Sequence, residues 1–375
     1  MNLILDFILI SGITVIGIIL FLLIKSKQKQ LSQKILIIFF VFLLFTSVFT
    51  YASFHNIIWL FRTTFVPNDV TTLMIGPLLY LYIKSLFLEQ KNLVKNTLKH
   101  FVPAVISLIF IAIPTLVFSM SKLDVLSYVI SEFIVVIIKL EDVYLILYLI
   151  LSLQLLSKYR NALKDNYSNL SKYDYKWIKI MLTGALFIIS VDSIIRIYEL
   201  LYDDSIWYQE YLIIAAMLIL VIYLGYYGIN QSKVLLPDFL LNKNKPIIHK
   251  SKEISLSNTK KEEFEQLQQQ LEFILTTNKP YLDEDLTLGK LAKQLSTTDK
   301  KLSIVLNQYI HTSFFDLINK HRVEAIKERI KLDTCKKYTL FGIACECGFK
   351  SRTSFNRIFK KETGFSPSEY KKKHL

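Results

Sequence analysis

Hydrophobic and polar positions follow two regimes along this chain, with a break near Gly228–Lys233. Before the break, long apolar runs alternate with short Lys-rich loops. Seven runs can be drawn, roughly 3–24, 35–58, 71–88, 101–119, 134–156, 178–200 and 209–228. Each has the length a helix needs to cross a hydrocarbon core of about 30 Å. The third is interrupted by Gly76-Pro77 and carries Lys84 near its end, a break tolerated where neighbouring helices satisfy the freed backbone groups. After the break, apolar residues recur at helical spacing within a polar, basic sequence. Ten glycines, eight prolines and abundant Leu and Ile argue for helices over strands. The expected fold is all-α: a seven-helix bundle over 1–229, a flexible linker over 230–259 and a small helical domain over 260–375.

The linker, with Pro237, Pro246 and several lysines, has no sustained period and as a flexible coil spans about 30 Å root-mean-square. A helix at Lys260–Thr276 follows, with Phe264, Leu267, Leu271 and Ile274 at 3-4-3 spacing. That stripe suits a homodimer seam or packing onto its own domain, and barely two heptads favour packing. From Tyr281 on, the pattern is two helix-turn-helix units joined by a longer helix at about Ser313–Leu332. In the first unit Thr287 caps a helix through Leu295, Ser296-Thr-Thr makes the turn, and Asp299–Gln308 forms the second helix. In the second unit Thr339 caps a helix through Cys345, Gly348 takes a left-handed turn, and Ser351 caps a helix through Lys361. Phe355, Ile358 and Phe359 then fall inward, with Arg352, Thr353, Asn356, Arg357 and Lys360 outward, toward a major groove.

Charge sharpens this picture. The formal net charge is +14, and from Lys233 onward 27 Lys+Arg stand against 17 Asp+Glu, a net of +10. Such a field favours nucleic acid or anionic lipid as partner. In the apolar part the cations are sorted by loop. The loops after runs one, three and five hold Lys25, Lys27, Lys29 and Lys34, then Lys84, Lys91, Lys95 and Lys99, then Lys158, Arg160, Lys164, Lys172, Lys176 and Lys179. The intervening loops offer Arg62 and Lys122. Cytoplasmic loops accumulate Lys and Arg, so the N-terminus is expected outside and the basic domain in the cytoplasm, where DNA lies. The first run carries Asp6 with no basic region before it, and reads as a retained span, not a cleaved signal peptide. Cys335, Cys345 and Cys347 lack the partners of a zinc site. Reduced thiols are expected, with Cys347 in the core and no metal or cofactor.

Ionisable residues inside apolar spans are costly and call for a functional hypothesis. Lys139, Glu141 and Asp142 fall in run five, Asp192 and Arg196 in run six, and His55 closes run two. All map to the outer half of the bundle. Two readings fit them: interhelical ion pairs such as Asp142 with Arg196, or a polar ligand pocket whose occupancy shifts the helices.

The run Ile343-Ala344, Gly348-Phe349, Ser354-Phe355, Arg357, Phe359-Lys360, Gly364, Ser366-Pro367 and Tyr370, with Arg322 and Ala325 on the connecting helix, resembles the AraC/XylS family of bacterial transcription regulators. The resemblance covers about the last hundred residues and is most specific in the second unit. It implies two recognition helices entering successive major-groove turns on one face of double-stranded promoter DNA. Carried onto this chain, it makes Arg352, Thr353 and Arg357 base-contact candidates in the second unit, and Lys300, Lys301 and Ser303 in the first. The donor fork of Arg suits guanine O6 and N7. Ser351, Asn356, Lys360 and Lys361 are phosphate-contact candidates, which give affinity without sequence preference. The first unit departs from the family pattern at Ile304, Leu306 and His311, where Arg, Phe and Gly are usual. It is therefore expected to contribute mainly phosphate contacts through Lys300 and Lys301. More loosely, Gly76-Pro77-Leu-Leu-Tyr-Leu-Tyr-Ile-Lys-Ser85 resembles a stretch of multi-spanning sensor regions attached to such domains.

These readings converge on a one-component transcription regulator in the bacterial cytoplasmic (inner) membrane. A small-molecule or protein signal received by the bundle would alter DNA binding. A passive anchor or partner-binding bundle is the alternative. A fused transporter or membrane enzyme needs convergent catalytic groups, and His55, His100, His249, His311, His321 and His374 are scattered, so no enzymatic activity is expected.

Overall fold

The computed structural model describes residues 2–25, 30–87, 93, 98–121, 124–170, 175–202, 209–230, 258–331 and 338–374. Among these residues the chain is all-α, with no strand and one isolated antiparallel bridge, Tyr167 to Thr287. Cys335 and the expected linker, apart from its ends, lie outside the described residues. The chain forms two compact units: Met1–Ser157 with Tyr175–Leu235, and Lys158–Asp174 with Leu236–Leu375. Residues 158–174, read from sequence as a loop of the apolar part, thus belong with the second unit.

Among the described residues, seven helical stretches are long and apolar enough to cross a membrane: Leu3–Lys25, Leu31–Phe54, Val70–Phe87, Leu98–Val117, Glu141–Asn166, Lys176–Glu199 and Leu212–Ile229. Each overlaps one of the apolar runs. Large apolar side chains such as Phe7, Phe110 and Phe187 stand exposed on them, and a face of that kind seeks an apolar solvent or a partner. Val70–Phe87 is the most enclosed, 72% buried against 17–33% for the others, which makes it the central element of the first unit.

That central position explains Gly76-Pro77. The helix Ile58–Phe87 runs through both Pro67 and Pro77, so the expected interruption is not a break. A Cβ at Gly76 would lie 2.8 Å from the Cβ of Tyr148. Glycine here lets this helix approach the helix Asp124–Asn166 closely, as small residues do between apolar helices. The strain of proline appears elsewhere: Leu108–Ala112 widens into one π turn just before Pro114, a usual way for a helix to absorb an irregularity.

The second unit has two apolar cores. Helix Asn258–Thr277 buries Leu267, Leu271 and Leu275 with Leu288, Leu291 and Leu302 of the first helix-turn-helix and Phe314 of the connecting helix. The 3-4-3 stripe is therefore used for packing within the domain. A second core gathers Val323, Ile326, Ile343, Phe349, Phe355, Phe359 and Tyr370, and Leu170 packs against it. Leu282 and Ala325 touch both cores, so the connecting helix Phe314–Ile330 is shared by the two helix-turn-helix units.

Candidate nucleic-acid interface

The first helices of the two units, Leu288–Gln294 and Leu340–Glu346, are built alike. Thr287 accepts from the Lys290 amide at 3.3 Å, and Thr339 from the Gly342 amide at 3.0 Å. Each side-chain oxygen satisfies an N–H that the helix start leaves unpaired. Both helices end in the same turn. Thr297 N–H donates to Ala292 O at 2.9 Å and Phe349 N–H to Ala344 O at 3.0 Å, each across a residue in the left-handed region. That residue is Ser296 (φ 52°) in the first unit and Gly348 (φ 90°) in the second.

The second helices differ. In the first unit Asp299–Ile304, capped by Thr298, passes into a π turn over Val305–Tyr309. In the second, Arg352–Thr363 is regular, capped by Ser351 at 3.2 Å from the Ser354 amide and closed by left-handed Gly364. Phe355, Ile358 and Phe359 are buried beneath it, while Arg352, Thr353, Asn356, Arg357 and Lys360 are exposed. The Arg352 guanidinium lies 5.3 Å from the centre of the Phe341 ring, a cation–π placement that leaves it at the surface. Lys361 is exposed but holds Asp316 at 2.8 Å. Burial pushes the Asp316 carboxyl up, but hydrogen bonds from Lys361 and Ser313 outweigh it and hold this group below its usual range. A final helix, Pro367–His374, is capped reciprocally: the Ser366 amide donates to Glu369 Oε2 at 2.7 Å and the Glu369 amide to Ser366 Oγ at 3.3 Å.

The first unit presents much less. Lys300 is exposed, Lys301 is ion-paired with Glu263, and Ser303 is only 7% exposed, its hydroxyl accepting from Asn307 Nδ2 at 3.3 Å. His311 occupies a left-handed conformation, φ 57°, where the family pattern has glycine. Two groups were not legible as site residues. Lys350 ties the turn before the recognition helix to Glu284 at 3.0 Å and Asp285 at 2.6 Å. Arg322 is buried and donates to Tyr281 O (2.7 Å), Asp283 O (2.8 Å), Ser168 O (3.2 Å), Ser168 Oγ (3.1 Å) and Asn319 Oδ1 (3.5 Å). Sequence marks Arg322 through the family pattern, but its partners are set by tertiary folding.

Of the charged candidates in the apolar helices, Asp192 and Arg196 pair along one helix at 2.8 Å, and the neighbouring Ser193 hydroxyl donates to Asp142 Oδ2 at 3.4 Å. Arg196 thus closes on Asp192, while Asp142 joins the group through Ser193. Glu141 is buried, and the Lys139 side chain lies outside the described residues. His55 stands apart from that group: its Nε2 is 2.8 Å from Asp6. Among the described residues no group of three or more His, Cys, Asp or Glu could hold a metal ion. Cys347 is buried and Cys345 exposed.

The Gly348 turn gives a direct test of this packing. A Cβ there would meet Tyr281 O at 2.6 Å and Arg322 Nε at 2.7 Å, whereas at Gly364, also left-handed (φ 79°), it would meet nothing within 4 Å. Gly348→Ala is expected to cost about 2–5 kcal/mol, combining left-handed strain with overpacking, and Gly364→Ala about 1–2 kcal/mol. Thermal unfolding or amide exchange of the full chain measures both, and equal costs would contradict the close contact at Gly348.

Residues 291–373 match the family model described as a helix-turn-helix domain. A solved structure from Listeria innocua, of a protein of unknown function, is 27% identical in a match covering 29% of this chain and 97% of that one, with a TM-score of 0.25. No curated protein matches the chain. With its paired capped helices and the exposed basic face of the second, the C-terminal part of this chain is a helix-turn-helix domain, the DNA-binding part of a transcription regulator.

Proposed function

We propose that the chain is a membrane-embedded one-component regulator of transcription. Its seven apolar helices span the cytoplasmic membrane with the N-terminus outside. The domain at 260–375 reads promoter DNA in the cytoplasm, and a small-molecule or protein signal received by the bundle alters that binding. One observation carries the reading: a single chain joins helices with exposed apolar faces to a helix-turn-helix domain with an exposed basic face. The sorting of cations among the loops supports the orientation.

On DNA, Arg352, Thr353 and Arg357 contact base edges, while Ser351, Asn356 and Lys360 hold phosphates. The first unit acts mainly as a phosphate anchor through Lys300. Lys301 and Lys361 are already engaged by carboxylates, so each must exchange an ion pair for a phosphate. The polar group of Asp142, Asp192, Ser193 and Arg196 is the candidate receiving site within the bundle.

Mapping the DNA bound by the full chain in its native membrane tests the reading as a whole. A C-terminus cleaved by protease added outside intact cells would end it. Arg357→Ala is expected to lose about 1–3 kcal/mol at one base position and to relax preference there; equal loss on every sequence would make Arg357 a phosphate contact. Glu263→Gln frees Lys301 and should steepen the dependence of log affinity on log salt by about one, read from binding curves at several salt concentrations. Asp192→Ala and Arg196→Ala, singly and together, should shift the output of a reporter gene at constant protein level. Unchanged output in all three variants would leave the bundle as an anchor.

A further inference from the structure

A short stretch of the apolar part, between its fifth and sixth helices, is built into the compact unit that holds both helix-turn-helix motifs. Ser168 is 1% exposed, and every polar atom it has is used. Its carbonyl accepts from Arg322 Nη1 at 3.2 Å and Asn319 Nδ2 at 3.0 Å. Its hydroxyl accepts from Arg322 Nη2 at 3.1 Å and donates to Leu286 O at 2.8 Å, and its amide donates to the same carbonyl at 3.4 Å. Next to it Tyr167 bridges to Thr287, the cap of the first unit. Leu170 packs on the core of the second. A few residues therefore touch the first unit, the second unit and the connecting helix.

The seat is specific because of what it satisfies. Arg322 has five N–H groups and makes five hydrogen bonds, two of them to Ser168. Withdrawing Ser168 leaves a buried cation short of acceptors, a costly state that repacking or water must relieve. The segment continues directly from the helix Asp124–Asn166, so a rotation or shift of that helix bears on Ser168.

Resting on the regulator reading above, we propose that residues 158–170 form a coupling strap. Seated on Arg322, the strap holds the two helix-turn-helix units at the separation that suits a DNA site with two halves. A signal acts by drawing it off that seat.

The test uses the full chain in lipid nanodiscs, with a duplex selected by the unaltered chain from a random library and the same duplex with one half scrambled. Ser168→Ala removes both hydroxyl bonds. Affinity for the two-half duplex should fall about tenfold, the effect of one hydrogen bond to a charged group, with little change on the scrambled duplex. Equal loss on both duplexes, or loss on neither, overturns the proposal. A second variant, six Gly/Ser residues inserted after Lys172, leaves the seat intact and slackens the strap. Coupling is reciprocal, so bound DNA should change the alkylation rate of the Tyr202→Cys variant at that position by about twofold or more. The insertion should abolish that change while leaving DNA affinity intact. No change in either background overturns the proposal although DNA binds. If the unaltered chain binds no DNA at all, it is the regulator reading that fails, and slow amide exchange at 167–170 still reports whether the strap is seated.

Discussion

A single buried guanidinium organises the DNA-binding unit. Arg322 is 1% exposed, and burial pushes it down to about 10, so it remains charged at neutral pH. Its five partners are uncharged oxygens drawn from the connecting helix, the turn at Tyr281–Asp283 and Ser168. Taking a cation out of water costs several kcal/mol, and only a complete set of acceptors offsets that cost. The fork geometry matters as well as the charge, because an ammonium on a flexible stem cannot address five oxygens in one plane. The constraint spreads outward. Gly348 must lack a side chain because Arg322 Nε and Tyr281 O occupy the space a Cβ would take. The recognition helix begins just beyond that turn, so its placement is tied to the same charge.

The two helix-turn-helix units share their first helix and turn but not their backbone cost. The second unit puts glycine at both left-handed positions, Gly348 and Gly364. The first uses Ser296 and His311, each carrying about 1–2 kcal/mol of strain that glycine would avoid. Its second helix also widens into a π turn, turns Ser303 inward and commits Lys301 to Glu263. The second unit offers a regular helix with apolar residues buried below and cations above. On the proposed reading, sequence-reading chemistry is concentrated there, and the first unit supplies mainly position.

What was legible in the sequence was local. Apolar runs of membrane-spanning length, the caps Thr287, Thr339 and Ser351, and the left-handed glycine at 348 depend on neighbours in the chain, and composition or spacing reveals them. Gly76-Pro77 was legible as a special site but not as a contact, because the Tyr148 side chain that requires the glycine lies far along the chain. Ser303 has the helical spacing of a surface residue, yet Asn307 and the core hold it inside. Ser168 gave no signal, since a serine in a Lys-rich loop is ordinary until a buried arginine reaches it. Lys350 likewise needs the acidic turn at Glu284–Asp285 before it means anything.

These asymmetries bear on how such a chain could be switched. A two-state element responds most where its local stability is least. The first unit has strained left-handed residues and leans for its core on Leu267, Leu271 and Leu275 of the preceding helix. Its capping residue Thr287 meets Tyr167, and the adjacent Leu286 carbonyl meets Ser168. On the proposed reading, force on residues 158–170 therefore reaches the weaker unit first. The reading helix keeps its own Phe355–Phe359 core and is tied to that segment through Leu170 and through Arg322 beside Gly348. Base preference would then persist through switching while the second foothold on the duplex is gained or lost, so a signal changes affinity without changing the sequence that is read.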